Sequence, residues 1–428
     1  MNVKRLLLSI TITALFVNDA VAGNFVITRN GHFYASSQSQ APYYFIGTNI
    51  WYAPILASKG SGGDRQRLKH ELDELKRLGL TNLRILVGAD AGSCNANPVR
   101  PYLQSEPGVL NDTLLDGLDY LLQEMEQRDM VGVFYLNNSW DWSGGYGFYL
   151  KQTGHGDSPS AEGDGYNQYV NYAAAFSTDT VAQRLYMDYV AKIVSRTNRY
   201  TKQPYKESPA IMSWQICNEP RPFSPTVKDG FYQWITKTAR LIKSLDPNHL
   251  VSTGSEGYYG CEKDMSLYER IHTIPEIDYF TIHIWPVNWG WSSRSALYTT
   301  LPNVYLKTED YIARHERLAE KYGKPLVIEE FGYPRDRNYY KAGTPTVARD
   351  AFYNFVLNQV VESRKRNGNI AGANFWGWSG TARADSVTWH PGMDYLNDPP
   401  HEPQGWYSVF DTDTSSIKYI EEHIHQLK

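Results

Sequence analysis

Two glutamates stand out in the chain because each ends a stretch that is otherwise apolar. Glu219 follows Trp214-Gln215-Ile216-Cys217-Asn218 and precedes Pro220-Arg221. Glu330 closes Pro325-Leu326-Val327-Ile328-Glu329 and precedes Phe331-Gly332. A carboxylate buried without a partner costs several kcal/mol, so such residues need a reason to be where they are. A pair of carboxyls facing one another can hydrolyse an acetal. One arrives protonated and gives its proton to the leaving oxygen, and the other arrives ionised and attacks the carbon. Arg84, at the end of Asn82-Leu83-Arg84-Ile85-Leu86-Val87, would favour the anion at Glu330. That anion would raise the proton affinity of Glu219 and so separate the two roles. Strand alternation predicts that Glu329 and Glu330 point to opposite faces, without saying which faces the site.

Elements that could bring these residues together are legible along the chain. Phe25–Thr28 and His32–Tyr34 flank Asn30-Gly31, a hairpin signal. From about residue 43, buried-strand stretches alternate with amphipathic helical ones. Strands are expected at 43–47, 82–87, 131–136, 210–216, 249–253, 279–284, 326–331 and 370–376. Asp64 is placed to cap a helix with Leu68, Leu72, Leu75 and Leu78 on one face and Gly79 at its end. Leu114 to Met125, the stripe Val181/Leu185/Tyr189/Ile193, and Phe231/Ile235/Ala239/Ile242 mark further helices. So do Ile312 to Leu318, Val347/Ala351/Phe355/Val356, and Ile417 to Leu427, whereas 258–275 carries the weakest helical signal. Eight strands with helices between them predict an α/β fold, a single closed (β/α)8 TIM barrel.

In such a barrel, polar residues at the C-terminal strand ends share one mouth. Asn137-Asn138 ends the third strand, His283-Ile284-Trp285-Pro286 the sixth, and Trp376-Gly377-Trp378 the eighth. The residues 143–172 and 379–407 are expected as long loops over that mouth, and loops of such length inside a compact domain are usually functional. Asn137, Asn138, Asp141 and Trp142 fit either turn formation or contact with a ligand.

These motifs together resemble glycoside hydrolase family 5, whose members are retaining enzymes on the (β/α)8 fold. The resemblance runs in order and spacing through nearly the whole chain. It implies Glu219 as acid/base, Glu330 as nucleophile, and Asn218 as the residue holding the 2-hydroxyl of the reacting sugar. Arg84, His283 and Trp376 match other positions around that sugar, with Trp376 as the floor under the ring. Asn138 and Trp51 are expected to face the same site. Many members carry Tyr where this chain has Trp285, so the role of that hydroxyl does not transfer directly. Asn218-Glu219-Pro220-Arg221, His283 to Trp289, and the segment Asp398 to Trp406 resemble the mannanase branch. That likeness implies β-1,4-mannosidic linkages as substrate and puts Arg221 at a leaving-group subsite. A glucanase of the same family, or a catalytically silent sugar-binding barrel, remains a distinct reading. Whether cleavage is internal or from chain ends is left open. The two long loops favour chain ends if they wall off one side.

Composition bounds the alternatives. The formal net charge is -4, with no basic block of the kind that nucleic-acid phosphates or an anionic membrane would require. Twelve Trp and 32 Tyr exceed the needs of a core and suit flat apolar faces that meet polar partners such as sugar rings. One strand-end His gives no cluster for a metal, so no metal or cofactor is expected. Lys4-Arg5, the apolar Leu6–Val17 and Ala20-Val21-Ala22 read as a signal peptide over 1–22, leaving 23–428 as one exported, monomeric catalytic domain. Cys94 and Cys261 lie in loop-like stretches and could pair after export, while Cys217 sits in a strand and reads as a buried thiol.

Overall fold

A computed structural model describes residues 25–92 and 95–428. The eight expected strands all form: β1 (Phe45–Asn49), β2 (Asn82–Leu86), β3 (Val131–Tyr135), β4 (Ile211–Gln215), β5 (Leu250–Ser252), β6 (Phe280–Ile284), β7 (Leu326–Phe331) and β8 (Ile370–Phe375). They make one parallel sheet in the order β6-β7-β8-β1-β2-β3-β4-β5. Between β5 and β6 the seam is held by separate bonds, Asp278 N–H to Val251 O at 2.9 Å and His283 N–H to Glu256 O at 3.1 Å. The sheet is thereby a closed (β/α)8 barrel.

The surrounding helices are α1 (Arg65–Leu78), α2 (Asp112–Glu126), α3 (Thr180–Val194), α4 (Lys228–Leu245), α5 (Met265–His272), α6 (Leu301–Tyr322), α7 (Val347–Lys365) and α8 (Thr414–Gln426). In α1, Asp64 accepts from Arg67 N–H and Gly79 ends the helix at φ 83°, a left-handed position that glycine adopts without steric cost. The weak signal at 258–275 resolves as the two turns of α5, capped by Asp264. The hairpin pairs Ile27–Arg29 with His32–Tyr34. Its Phe33, with Val26, packs against Phe45, Val133, Met212 and Val327 near the strand starts, so it plugs the end of the barrel opposite the mouth.

Four expectations need correction. The stretch 143–172 is not one open loop, because it folds into helices Gly145–Gln152 and Tyr166–Ala173 over the barrel rim. The buried stripe of α3 runs through Ala182, Tyr186, Tyr189, Val190 and Ile193, while Val181 is exposed; Val347 of α7 is also exposed. Apolar spacing alone could not tell these helices' buried faces from their rims. Cys261 is a free, buried thiol, as is Cys217. Cys94 and the expected signal peptide both lie outside the described residues. Among the described residues, no helix is long and apolar enough to cross a membrane.

Candidate active site

Arg84 organises the floor of the mouth. It is fully buried in β2, where an arginine persists only if its charge and its N–H groups find acceptors. Its Nε donates to Gln215 Oε1 at 2.9 Å, Nη1 to Asn49 Oδ1 at 3.1 Å, and Nη2 to Asn218 Oδ1 at 2.8 Å. Nη1 also makes a close ion pair with Glu330 Oε1. The guanidinium thus ties β2 to β1, β4 and β7. Its other face rests 4.5 Å from the centre of the Tyr135 ring.

Three donors converge on Glu330. Besides Arg84, the Trp285 indole donates to Oε2 at 3.1 Å, and His283 Nδ1 lies 3.3 Å from the same oxygen. The indole N–H therefore reaches the nucleophile-motif carboxylate at the position where many family members use a tyrosine hydroxyl.

Glu219 stands just past β4 with φ 48°, left-handed backbone that a non-glycine residue adopts at a cost of about 1–3 kcal/mol. Neighbours hold it there: its N–H donates to Gly254 O at 3.0 Å, and its carbonyl accepts from Ser139 Oγ at 2.6 Å. Its carboxylate accepts from Trp140 Nε1 at 2.6 Å and pairs with His283 Nδ1 at 2.8 Å. Burial pushes the Glu219 carboxyl up. The bond and charge of His283, with Arg221 and Trp140, outweigh burial and hold it below its ordinary value. Burial lowers the His283 affinity for its proton, but Glu330 and Glu219 together raise it to about 9. The shift at Glu219 thus runs opposite to what the charge of Glu330 alone implied, because His283 stands between the two carboxylates. Oxygens of Glu219 and Glu330 and one His283 nitrogen lie within 4.8 Å of one another. Three such groups could ligate a cation, but a metal would have to displace the His283 proton and share Glu330 with Arg84.

Strand alternation fails at Glu329 and Glu330. Ile282 pairs with Ile328, yet the next residue, His283, pairs with Glu330, so β7 carries one extra residue there. This bulge lets both carboxylates face the barrel interior. Glu329 accepts from Gln215 Nε2 at 2.7 Å and lies 3.9 Å from Arg84 Nε. It sits deeper than Glu330, and burial raises its proton affinity despite Arg84.

Above the floor opens a cavity of about 1040 Å³. On one side, Trp142 from the segment after β3 and His401 from the segment after β8 stack at 5.6 Å and 12°. Trp51 backs this contact, edge-on to Trp142 at 6.1 Å, with its indole donating to Asn397 O at 2.9 Å. Beside His401, burial and the charges of Asp398, Glu330 and Glu219 raise the Glu402 carboxyl well above the carboxylate range, and its Oε2 has no partner among the described residues. Residues that follow β4, β5 and β6 line the other side. There Arg221 makes a two-pronged pair with Glu256 at 3.0 and 2.6 Å and lies over Trp140, and Trp289 stacks on Tyr259 at 4.3 Å.

Six of the ten expected site residues line this cavity: Asn218, Glu219, Arg221, Trp285, Glu330 and Trp376. The other four stand behind the lining. Arg84 and His283 act on the carboxylates from below, and Asn138 accepts from Asn218 Nδ2 at 3.1 Å and so orients that residue. Trp51 backs the wall rather than facing a ligand. Trp140, Glu256, His401 and Glu402 were not anticipated as site residues. Trp140 had a signal, since it lies two residues beyond the strand-end Asn138. His401 and Glu402 lie within the Asp398–Trp406 segment that carried the mannanase likeness, though neither was singled out, and nothing local in the sequence marks Glu256.

A buried carboxylate pair at the C-terminal mouth of a (β/α)8 barrel, over an aromatic cavity, defines a carbohydrate-active barrel enzyme. Residues 23–428 match the model of the GH family 5 beta-mannosidase-like family. The chain is 30% identical to a putative mannan endo-1,4-beta-mannosidase 9 of Oryza sativa subsp. japonica, over 83% of each chain. It is 29% identical to mannan endo-1,4-beta-mannosidase 7 of Arabidopsis thaliana, over 83% of this chain and 78% of the relative. The crystal structure of a glycoside hydrolase family 5 mannosidase from Rhizomucor miehei superposes with a TM-score of 0.85 at 33% identity, covering 94% of this chain and 97% of that one. The chain belongs to glycoside hydrolase family 5, within its β-mannosidase-like group, and is a glycoside hydrolase.

Proposed function

We propose that this protein is an exported, monomeric, retaining hydrolase that removes mannosyl units from the ends of β-1,4-mannan and mannooligosaccharide chains. The observation that carries the choice of chain ends is the Trp142–His401 stack, which joins the two long segments across one side of the cavity. Arg221, two residues beyond Glu219, marks the side for the leaving group. A chain entering from there meets the wall after its terminal sugar.

In the first step Glu330 attacks the anomeric carbon while Arg84 and Trp285 hold its oxygens. The glycosidic C–O bond breaks, and the leaving oxygen takes the proton that Glu219 and His283 share. The product is a glycosyl ester of Glu330. Esterification removes the charge that kept His283 protonated, which frees Glu219 to accept a proton from water. That water attacks the anomeric carbon and releases Glu330. The close approach of Glu219 and Glu330 supports retention, which needs carboxyls about 5–5.5 Å apart rather than the wider gap of inverting enzymes. Asn218 holds the 2-hydroxyl, Trp376 floors the ring, and Glu402, whose proton affinity burial raises, meets the sugar at the wall.

The test is the first product from mannohexaose labelled at its reducing end. Labelled mannopentaose alone, with free mannose, is the expected outcome. Labelled chains of several lengths at the earliest times would instead mean internal cleavage. Turnover of cellohexaose in place of mannohexaose would make the enzyme a glucanase.

A further inference from the structure

A second cavity, of about 840 Å³, opens beyond the wall, between the turns that follow β1 and β2 and the long segment after β8. Trp51 separates it from the catalytic cavity. One edge of that indole meets Trp142, which lines the catalytic cavity, and another meets Tyr395, which lines the second, at 5.6 Å. Both cavities therefore face the same side of the barrel without joining.

The chemistry of the second cavity is specific. Trp389 and Tyr395 lie nearly parallel, 5.7 Å apart and tilted by 20°, and Trp389 is only partly buried. Pro98, Pro101 and Pro391 extend the apolar lining. Asp64, Asp394, Arg67 and Arg100 also line it, two charges of each sign, and Arg100 and Asp394 are exposed. Balanced charge gives no net field for a phosphate, a nucleic acid or a cation. A flat aromatic lining edged by hydrogen-bonding side chains of both kinds fits an uncharged ligand with an apolar ring face and many hydroxyls. Arg67 is already committed to Tyr52 Oη and the carbonyls of Ser379 and Tyr395, so it stiffens the cavity and leaves Arg100 and Asp394 to meet a ligand.

From this the geometry points to a second saccharide site that holds a mannan chain other than the one being cleaved. The inference rests on the proposed substrate. An enzyme that takes one sugar from one end releases its substrate after every cut. Anchoring to a neighbouring chain of the same solid keeps the next end at high effective concentration. The site should matter for polymer and not for short substrates.

Trp389→Ala tests this, with R100A and D394A repeating it on exposed side chains. Binding to insoluble mannan is measured in the inactive Glu330→Ala background, and kcat/KM for mannobiose in the active one. The expected result is a fall in mannan binding of about fivefold to tenfold for W389A, the loss of one aromatic contact, and a smaller fall for the two others. Mannobiose turnover should stay within twofold of the parent, which also reports a correctly folded mouth. Unchanged mannan binding in all three variants would overturn the inference, as would an equal loss on mannobiose and polymer. If the parent enzyme hydrolyses neither mannobiose nor mannan, the substrate reading itself fails, and that outcome is distinct from both.

Discussion

The floor of the mouth and its wall are built in opposite ways. On the floor, Arg84, Glu329, Glu330, Asn218 and His283 sit at strand ends, buried, with charged groups matched by donors on neighbouring strands. At the wall, Trp142, His401, Trp51 and Tyr395 come from segments distant in the chain and meet through ring contacts. Removing one partner of a buried charge pair costs about 3–5 kcal/mol, whereas one aromatic contact contributes about 0.5–1.5 kcal/mol. On the proposed reading, chemistry and chain-end selection therefore reside in parts of different rigidity. The wall should be open to change without loss of the chemistry, and the reverse should not hold.

The largest effect should come from the floor. Glu330→Ala is expected to lower kcat on mannooligosaccharides by about 10⁴-fold or more, and Glu219→Ala by about 10²–10⁴-fold; both should still fold, with Glu330→Ala melting lower because it strands the buried Arg84. Near-parental turnover in either variant would remove that residue from the chemistry. The next effect separates the proton from the wall. The His283 proton is held below about pH 9 and lost as pH rises through it, so kcat/KM should fall on the alkaline side near 9. In His283→Gln the proton must reside on the buried Glu219 carboxyl, and the alkaline limb should move to lower pH. An unmoved limb would mean that another group sets it. The smallest effect on rate belongs to the wall. Trp142→Ala combined with His401→Ala should change kcat on mannobiose by less than about threefold. The same variant should add labelled mannotetraose and mannotriose to the first products from labelled mannohexaose. Mannopentaose alone would show that these rings do not set the cut position.

The floor was largely legible in the sequence and the wall was not. The strands β1 to β8 announced themselves through apolar runs bounded by turns, and Glu219 and Glu330 through polar endings that an apolar strand does not need. Alternation misled at Glu329 because a bulge is set by register against β6 and β8, which the residues of β7 alone do not encode. Glu256 carried no signal and His401 only that of its segment, since each matters through a partner far along the chain: Arg221 for one, Trp142 for the other. The helices at 145–152 and 166–173 were hidden by a Gly-, Ser- and Tyr-rich composition that reads as loop. They form because the Tyr146, Tyr149 and Tyr169 rings are buried against the barrel and the neighbouring helices.

On the proposed mechanism Glu330, and not its buried neighbour Glu329, bonds to the sugar. Incubating the enzyme with a 2-deoxy-2-fluoro-β-mannosyl fluoride and digesting it for mass spectrometry tests this directly. One added fluoromannosyl group, carried on Glu330, is expected. A label on Glu329, or inactivation without any covalent adduct, would contradict it.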